Sequence, residues 1–290
     1  MDDVCGVPRR GGTISRSEQA TTAVVAEPVE AARTDVHEPR GAYLDETSGR
    51  QGDKRAWVWG AVTRGVTGGV RRSRGGAGAR ALWGEGWRGL LVTDRYRADH
   101  GYPVRWRQLR WAHWWRDVAA MRGRGGVAEE MGTALLEQAH PMLVWWHRVR
   151  EGTLPRSTLR SSLRPLRREM DRLLEAGRRC GVPPTEGTCR DILQRRQALW
   201  TFVQGAGVEP THNAAERSMR SGVLWRQGSF GTQSEAGSRF VETLMTVGAT
   251  LKQHKRTVLA SLTAAHDAAL RGEVAPSLLP AHDMESHWAA

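Results

Sequence analysis

Three carboxylates, Asp45, Asp94 and Glu216, are the residues of this sequence that could do chemistry together. Asp45 and Asp94 each follow a short apolar, strand-like run. Glu216 falls in the first turn of a helix that begins after Pro210-Thr211-His212-Asn213. Carboxylates gathered from distant positions are what hard divalent cations require, since Mg²⁺ takes oxygen ligands and keeps waters and phosphate oxygens in its shell. Three acids can hold two such ions, and a metal pair about 3.5–4 Å apart stabilises both the attacking and the leaving oxygen of an in-line phosphoryl displacement. Each residue taken singly has an ordinary role as well. Asn213 with Glu216 three positions on is close to a capping box, in which the Glu reaches back to the cap backbone. An Asp at a strand end also serves turn chemistry. Arg220, four residues after Glu216, shares its helical face, where it pairs with the Glu or meets a phosphate.

The elements that position these acids follow from periodicity. Residues 1–40 hold few large apolar side chains and no sustained period, which predicts a disordered leader. Strands are expected at Ala42–Leu44, Arg55–Thr63 and Val66–Arg72, with a turn over Ser48–Asp53; links this short imply antiparallel pairing. A helix over Gly76–Trp83, a buried strand at Gly89–Val92 that delivers Asp94, a strand at Val104–Trp111 and a helix from His113 to about Met121 follow. Three strands, a helix, a strand, a helix and a strand are the order of a ribonuclease-H-like fold, in which the first and fourth strands are neighbours and would bring Asp45 to Asp94. The expected fold class is therefore α/β, a ribonuclease-H-like mixed five-stranded sheet with an all-helical insertion and C-terminal helices. The insertion is read at 127–204, where Leu135, Leu136, Met142, Leu143 and Trp146, then Leu159, Leu163, Leu166, Met170 and Leu173, recur at three and four. Its Arg160, Arg164, Arg167, Arg168 and Arg172 form a basic face, solvated or touching phosphates. After the helix of Glu216, Gly222–Gly231 reads as a loop or hairpin. Ser234 would cap a helix with Phe240, Val241, Leu244, Met245, Val247 and Leu251 on one face, and Thr257 another running to about Arg271. The organisation expected is thus a leader at 1–40, a catalytic domain at 41–126 and 205–280 interrupted by the insertion, and a disordered tail at 281–290.

Charge points to nucleic acid. The net charge is +12, yet the first 40 residues hold seven acidic and five basic side chains, so the remainder carries 38 basic against 24 acidic. Arginines and lysines gain affinity from phosphates by releasing condensed counterions. Apart from Lys54, Lys252 and Lys255 the basic set is Arg, which with abundant Ala and Gly also suits GC-rich coding. Cys5, Cys180 and Cys189 are odd in number and form no CxxC pair, which excludes a disulfide framework or a zinc knuckle. The N-terminus lacks a signal-peptide core, and no run approaches the roughly 18 apolar residues of a membrane span. A soluble cytoplasmic protein is the expectation.

The residues quoted so far sit in longer motifs: DET (45–47), KRAWVW (54–59), TDRY (93–96), RQLRWAHWWRD (107–117), VEPTHNAAERSMRSGVLWRQGSFGTQSEAGSRFVETL (208–244) and APSLLP (275–280). In these the chain resembles transposases of the insertion sequence 66 family, within the DDE superfamily, from about Asp45 to Pro280. Carried over position by position, the resemblance implies Asp45, Asp94 and Glu216 as catalytic, metal-binding triad with Mg²⁺ or Mn²⁺, two ions. It implies nicking at the ends of a mobile element and attack of the freed 3′ hydroxyl on target DNA. Arg217, Arg220, Arg226, His113 and Arg116 are the candidate DNA-binding residues. Expected partners are DNA, further copies of the chain or other proteins of the element, with no membrane. The chain departs from the family pattern at His212, Arg110 and Ser48-Gly49, and residues 1–40 resemble none of the family's N-terminal region. That departure carries an alternative expectation, a truncated, inactive copy that only binds DNA or a full-length transposase. A structure-selective nuclease on the same fold is a third reading, disfavoured by the Glu216 block.

Overall fold

In the computed structural model the described residues are 11–37, 41–63, 65–72, 80, 82, 84, 86–94, 101–205, 208–210, 220, 224–225, 227–229 and 231–280. Five strands, β1 (Gly41–Gln51), β2 (Lys54–Val62), β3 (Thr67–Arg72), β4 (Leu90–Thr93) and β5 (Arg107–Leu109), form one sheet in the order β3-β2-β1-β4-β5. The fold is α/β, and the first and fourth strands are neighbours, as the element order predicts. Two compact units divide the chain. The first takes residues 1–91, 96–101 and 212–286, and the second takes 92–95, 102–211 and 287–290.

The first unit is built on the antiparallel meander β1-β2-β3. Strand β1 runs well past the Ala42–Leu44 expected of it, because Gln51 pairs with Lys54 and the connection is only Gly52-Asp53. Gly52 takes φ +53 there, as the first position of a type II′ hairpin turn requires. The consequence for chemistry is a correction: Asp45 lies inside a strand, opposite Gly60, and not at a strand end. The free edge of β3 meets helix α8 (Glu235–Gln253), whose Thr250 hydroxyl accepts from Thr67 N at 3.1 Å and donates to Thr67 O at 3.2 Å. Gln253 Nε2 donates to Thr63 O at 2.7 Å, and His254 Nε2 contacts Gly65 O. An edge strand exposes a row of unmet backbone groups, and here side chains of one helix meet them. Ser234 caps α8 by accepting from Gly237 N at 3.1 Å, as predicted. The face α8 buries overlaps the predicted one at Val241, Val247 and Leu251 and is otherwise mostly threonine. Val241, Thr243, Thr246, Val247, Thr250 and Leu251 are buried, whereas Phe240, Leu244 and Met245 are half-buried.

Residues 11–35, expected to be disordered, form α1 (Gly11–Val24) and α2 (Ala26–Asp35). Helix α2 lies against the sheet. A Cβ at Gly68 would meet Val36 Cγ2 at 3.0 Å, so the face holding Leu44, Ala61 and Gly68 is the one α2 covers. Val25, Val29, Ala32 and Val36 are 0–3 % exposed. Arg33 reaches Glu242 of α8 at 3.5 Å, and Thr21 of α1 contacts His266 of helix α9 (Val258–Arg271) at 3.1 Å. The apolar content that looked too small to order a free segment is sufficient once a sheet and α8 supply the other side of the contact. The expected helix over 76–83 is described only at Arg80 and Leu82, both helical, with Leu82 buried. Leu224-Trp225 and Gln227–Ser229 are helical, where a loop or hairpin was expected.

The second unit is helical around β5: α3 (Trp111–Arg122), α4 (Gly126–Arg150), α5 (Arg156–Gly177), α6 (Pro183–Gln194) and the short α7 (Arg196–Leu199). The expected strand Val104–Trp111 is a 3₁₀ turn (Val104–Trp106) followed by the three residues of β5. Strand β5 and helix α3 group with the helical stretch and not with residues 41–91, because their polar atoms are tied to it. Gln108 Nε2 donates to Leu109 O and to Leu199 O (2.6 and 3.2 Å), its Oε1 accepts from Phe202 N (2.7 Å), and Trp111 Nε1 donates to Leu199 O (2.8 Å). Trp114, Trp111, Trp200, Phe202 and Trp146, in that order, form a chain of rings with successive centroids 4.9–6.4 Å apart.

Deleting residues 1–37 is expected to destabilise the first unit. Each buried valine contributes about 1.5–3 kcal/mol, so losing Val25, Val29 and Val36 should lower unfolding stability by on the order of 5 kcal/mol. Urea denaturation of the truncated and full chains measures it, and equal midpoints would show that α1 and α2 contribute nothing.

Candidate active site

In the first unit Asp45 is half-buried on β1, with its Oδ1 accepting from the Glu46 amide at 3.0 Å. Alternation along the strand puts Asp45 on the face opposite to Leu44, away from α2. On the β2 side its cross-strand partner is Gly60, which in turn pairs with Gly69 on β3, so two positions without side chains follow the carboxylate on that side of the sheet. The far end of β1 is held by the Gly-rich part of the long motif. Thr232 pairs with Gln51 as a parallel bridge, its amide donates to Arg50 O at 3.0 Å, and its carbonyl accepts from Gly52 N at 2.8 Å. Gly231 takes φ +115, and a Cβ there would lie 2.6 Å from Arg50 O, so only glycine allows the approach. Arg220, in the same unit, is helical and exposed. Glu216, Arg217 and Arg226 lie outside the described residues.

In the second unit the structure brings three predicted residues together. Asp94, one residue beyond β4, has its Oδ2 at 3.9 Å from His113 Nδ1, and Arg116 Nη2 lies 3.3 Å from the same Nδ1. Both side chains of the Asp94–His113 pair are about one quarter exposed, at 25 % and 24 %. The Nδ1 of His113 thus lies between the Asp94 carboxylate and the Arg116 guanidinium. The backbone under Asp94 is fixed from three sides. Arg107, 1 % exposed, donates through Nη2 to Thr93 Oγ1 (2.8 Å) and Asp94 O (3.1 Å). Thr93 Oγ1 donates to Asp94 O at 2.8 Å, and Arg110 N donates to Thr93 O at 2.9 Å. One residue further, Trp111 N donates to Pro210 O at 2.9 Å, which anchors the chain entering the Glu216 segment to the start of α3.

Arg107, Gln108 and Thr93 are the positioning residues that sequence reasoning missed. Their signal was present: polar side chains at consecutive positions of a segment that otherwise reads as buried strand require partners. The described residues contain no cluster of three or more His, Cys, Asp or Glu side chains that would hold a metal ion. What Asp45 and Asp94 offer is the hard oxygen chemistry a divalent cation takes. No helix among the described residues is long and apolar enough to cross a membrane.

Comparison with known proteins gives one match. The family model described as Transposase IS66 family matches residues 2–239, more than half of the chain. The match begins at residue 2, so the first 40 residues, which the motif comparison set apart, lie inside it, and APSLLP at 275–280 lies beyond it. No curated protein and no solved structure matches.

Gln108→Leu keeps the volume of this positioning strand and removes its polar end. It strands the Phe202 amide and a bond to the Leu199 carbonyl, at about 1–3 kcal/mol per buried orphan. Guanidinium unfolding is expected to show a loss of about 2–4 kcal/mol for this variant, and a loss below roughly 0.5 kcal/mol would mean the clamp is not what holds β5.

Proposed function

Because this chain belongs to the IS66 transposase family, we propose that it cuts DNA strands at the ends of an insertion sequence and transfers the freed 3′ hydroxyl to target DNA. The observation that carries the reading beyond family membership is the sheet order. Strand β1, which bears Asp45, neighbours β4, which ends immediately before Asp94. That adjacency is the arrangement a ribonuclease-H-like catalytic sheet uses, and it supports that fold for the first five strands. Pro210, whose carbonyl accepts from Trp111 N, precedes Glu216 by six positions along the chain. Six residues span at most about 20 Å, and less if the segment is helical.

Asp45, Asp94 and Glu216 would hold the divalent ions, Mg²⁺ or Mn²⁺. When bound, a metal pair supplies the positive charge that stabilises the attacking and leaving oxygens of phosphoryl displacement. The chain's own side chains do the rest. Arg107 and Thr93 set the backbone at Asp94 so that its carboxylate is presented at a fixed point. His113 places its imidazole beside that carboxylate and Arg116 its guanidinium against the imidazole, where the guanidinium can meet a DNA phosphate. Arg220, Arg217 and Arg226 are the further phosphate contacts of the reading, with DNA ends and target as substrates and further copies of the chain as partners.

Asp45→Asn, Asp94→Asn and Glu216→Gln each remove one charge with almost no change of shape. Each is expected to abolish Mg²⁺-dependent nicking of a plasmid carrying the element's ends, while thermal melting stays within a few degrees of the parent chain. Wild-type nicking by the Glu216→Gln protein, accompanied by a lower melting temperature, would assign Glu216 to the helix cap instead.

A further inference from the structure

Helix α5 treats its arginines in two different ways. From Glu169 onward they are compensated: Arg172 is bonded to Glu169 at 2.6 and 2.9 Å, Arg178 to Glu175 at 2.7 Å, and Asp171 lies 3.9 Å from Arg196. From Arg156 to Arg168 the sequence RSTLRSSLRPLRR holds five arginines and no acid. Two of the five are used in packing. Arg156 lies over the Trp146 ring at 5.5 Å and donates to Phe202 O at 2.6 Å, and Arg167 lies over Trp200 at 5.3 Å. The other three, Arg160, Arg164 and Arg168, are exposed, and among the described residues none of them has an ion-pair or hydrogen-bond partner.

We propose that Arg160, Arg164 and Arg168 form a contact surface for the phosphate backbone of duplex DNA. The three recur every four residues, so they advance about 6 Å each along one side of the helix. The opposite face, Leu159, Leu163, Leu166 and Met170, is buried, which fixes the direction in which the row points. Like charges at i and i+4 weaken a helix, and two such pairs in succession are tolerated here along with Pro165 between them. The charge of Arg160 also helps hold the Arg156 guanidinium below its ordinary value, after burial as the larger cause. Ser157 and Thr158 just before the row and Ser161 within it are exposed hydroxyls of the kind that join arginine on phosphates. A protein partner would be met by aromatic or aliphatic anchors in the middle of the patch, and this face has none. Phosphate contacts of this type position DNA without reading its sequence.

The proposal rests on the DNA-directed reading above, but its test needs no cleavage. Affinity of the full chain for a fluorescein-labelled mixed-sequence duplex is measured in EDTA over roughly 50 to 200 mM salt. The variant R160Q/R164Q/R168Q is expected to lower the magnitude of the slope of log K against log salt by about 2.7, and each single variant by about 0.9. The control R148Q/R150Q/R190Q removes the same charge from other exposed positions of the helical unit and is expected to leave the slope within about one of the parent. If the triple variant melts early, the single variants decide the matter. An unchanged slope in the stripe variants, an equal loss in the control, or retention of phosphatidylserine vesicles but not duplex would overturn the proposal. A chain that shows the full slope and loses it with the stripe, yet does not nick, leaves this surface standing and fails the cleavage reading alone.

Discussion

A polar side chain taken out of water is costly unless its groups are paired, and that constraint shapes both units. At β5 it is largely met within two residues. Arg107 at 1 % exposure and Gln108 at 0 % are buried at tolerable cost because Thr93, Asp94 and Leu199 accept their hydrogen bonds and the Phe202 amide donates one to Gln108. The pairing does more than satisfy the strand. It ties the end of β4 on one side to α7 and its following turn on the other, so the backbone at Asp94 inherits its position from the aromatic core of the helical unit. The same rule appears at β3, where Thr250 and Gln253 of α8 take the place of a sixth strand.

Apolar burial and polar satisfaction were unequally legible in the sequence. Helices α4 and α5 were readable because leucines at three and four have one interpretation in a long segment. Strand β1 was read too short, since Asp45-Glu46-Thr47-Ser48-Gly49 has the composition of a turn. What extends it is a two-residue hairpin fixed by Gly52 and a bridge to Thr232, which lies far along the chain. The helices of residues 11–35 were missed for a related reason. Three valines and an alanine have too little surface to order a free peptide, and become sufficient only against β3 and α8. On α8 the expected Val241, Val247 and Leu251 are buried, but the threonines beside them were overlooked in favour of Phe240, Leu244 and Met245, because a helix set against a sheet edge uses hydroxyls where an ordinary amphipathic helix uses leucines.

For the candidate site the division is similar. Residue type found Asp45, Asp94, His113 and Arg116, and the structure places the last three together. Residue type alone gave no reason to select Arg107 or Thr93, whose roles depend on distances between segments. The row across from Asp45 carries the opposite lesson. Gly60 and Gly69 are uninformative in sequence, and only the register of β1, β2 and β3 puts them in one row with Asp45.

The distribution of acids in α5 follows from the same reasoning applied to charge. Surface ion pairs contribute little to stability, at most about 1 kcal/mol each, so Glu169 and Glu175 are not needed to hold the helix in place. The leucines of its buried face and the stacked Arg156 and Arg167 already do that. What the acids change is the field: they cancel the C-terminal half of the helix and leave the N-terminal half strongly positive. A protein whose excess charge merely kept it soluble would gain nothing from such a boundary within one helix. A protein that must hold a polyanion in one orientation relative to Asp94 gains a defined edge, because charge spread evenly over the helical unit would bind DNA in many registers and present the scissile phosphate in few of them.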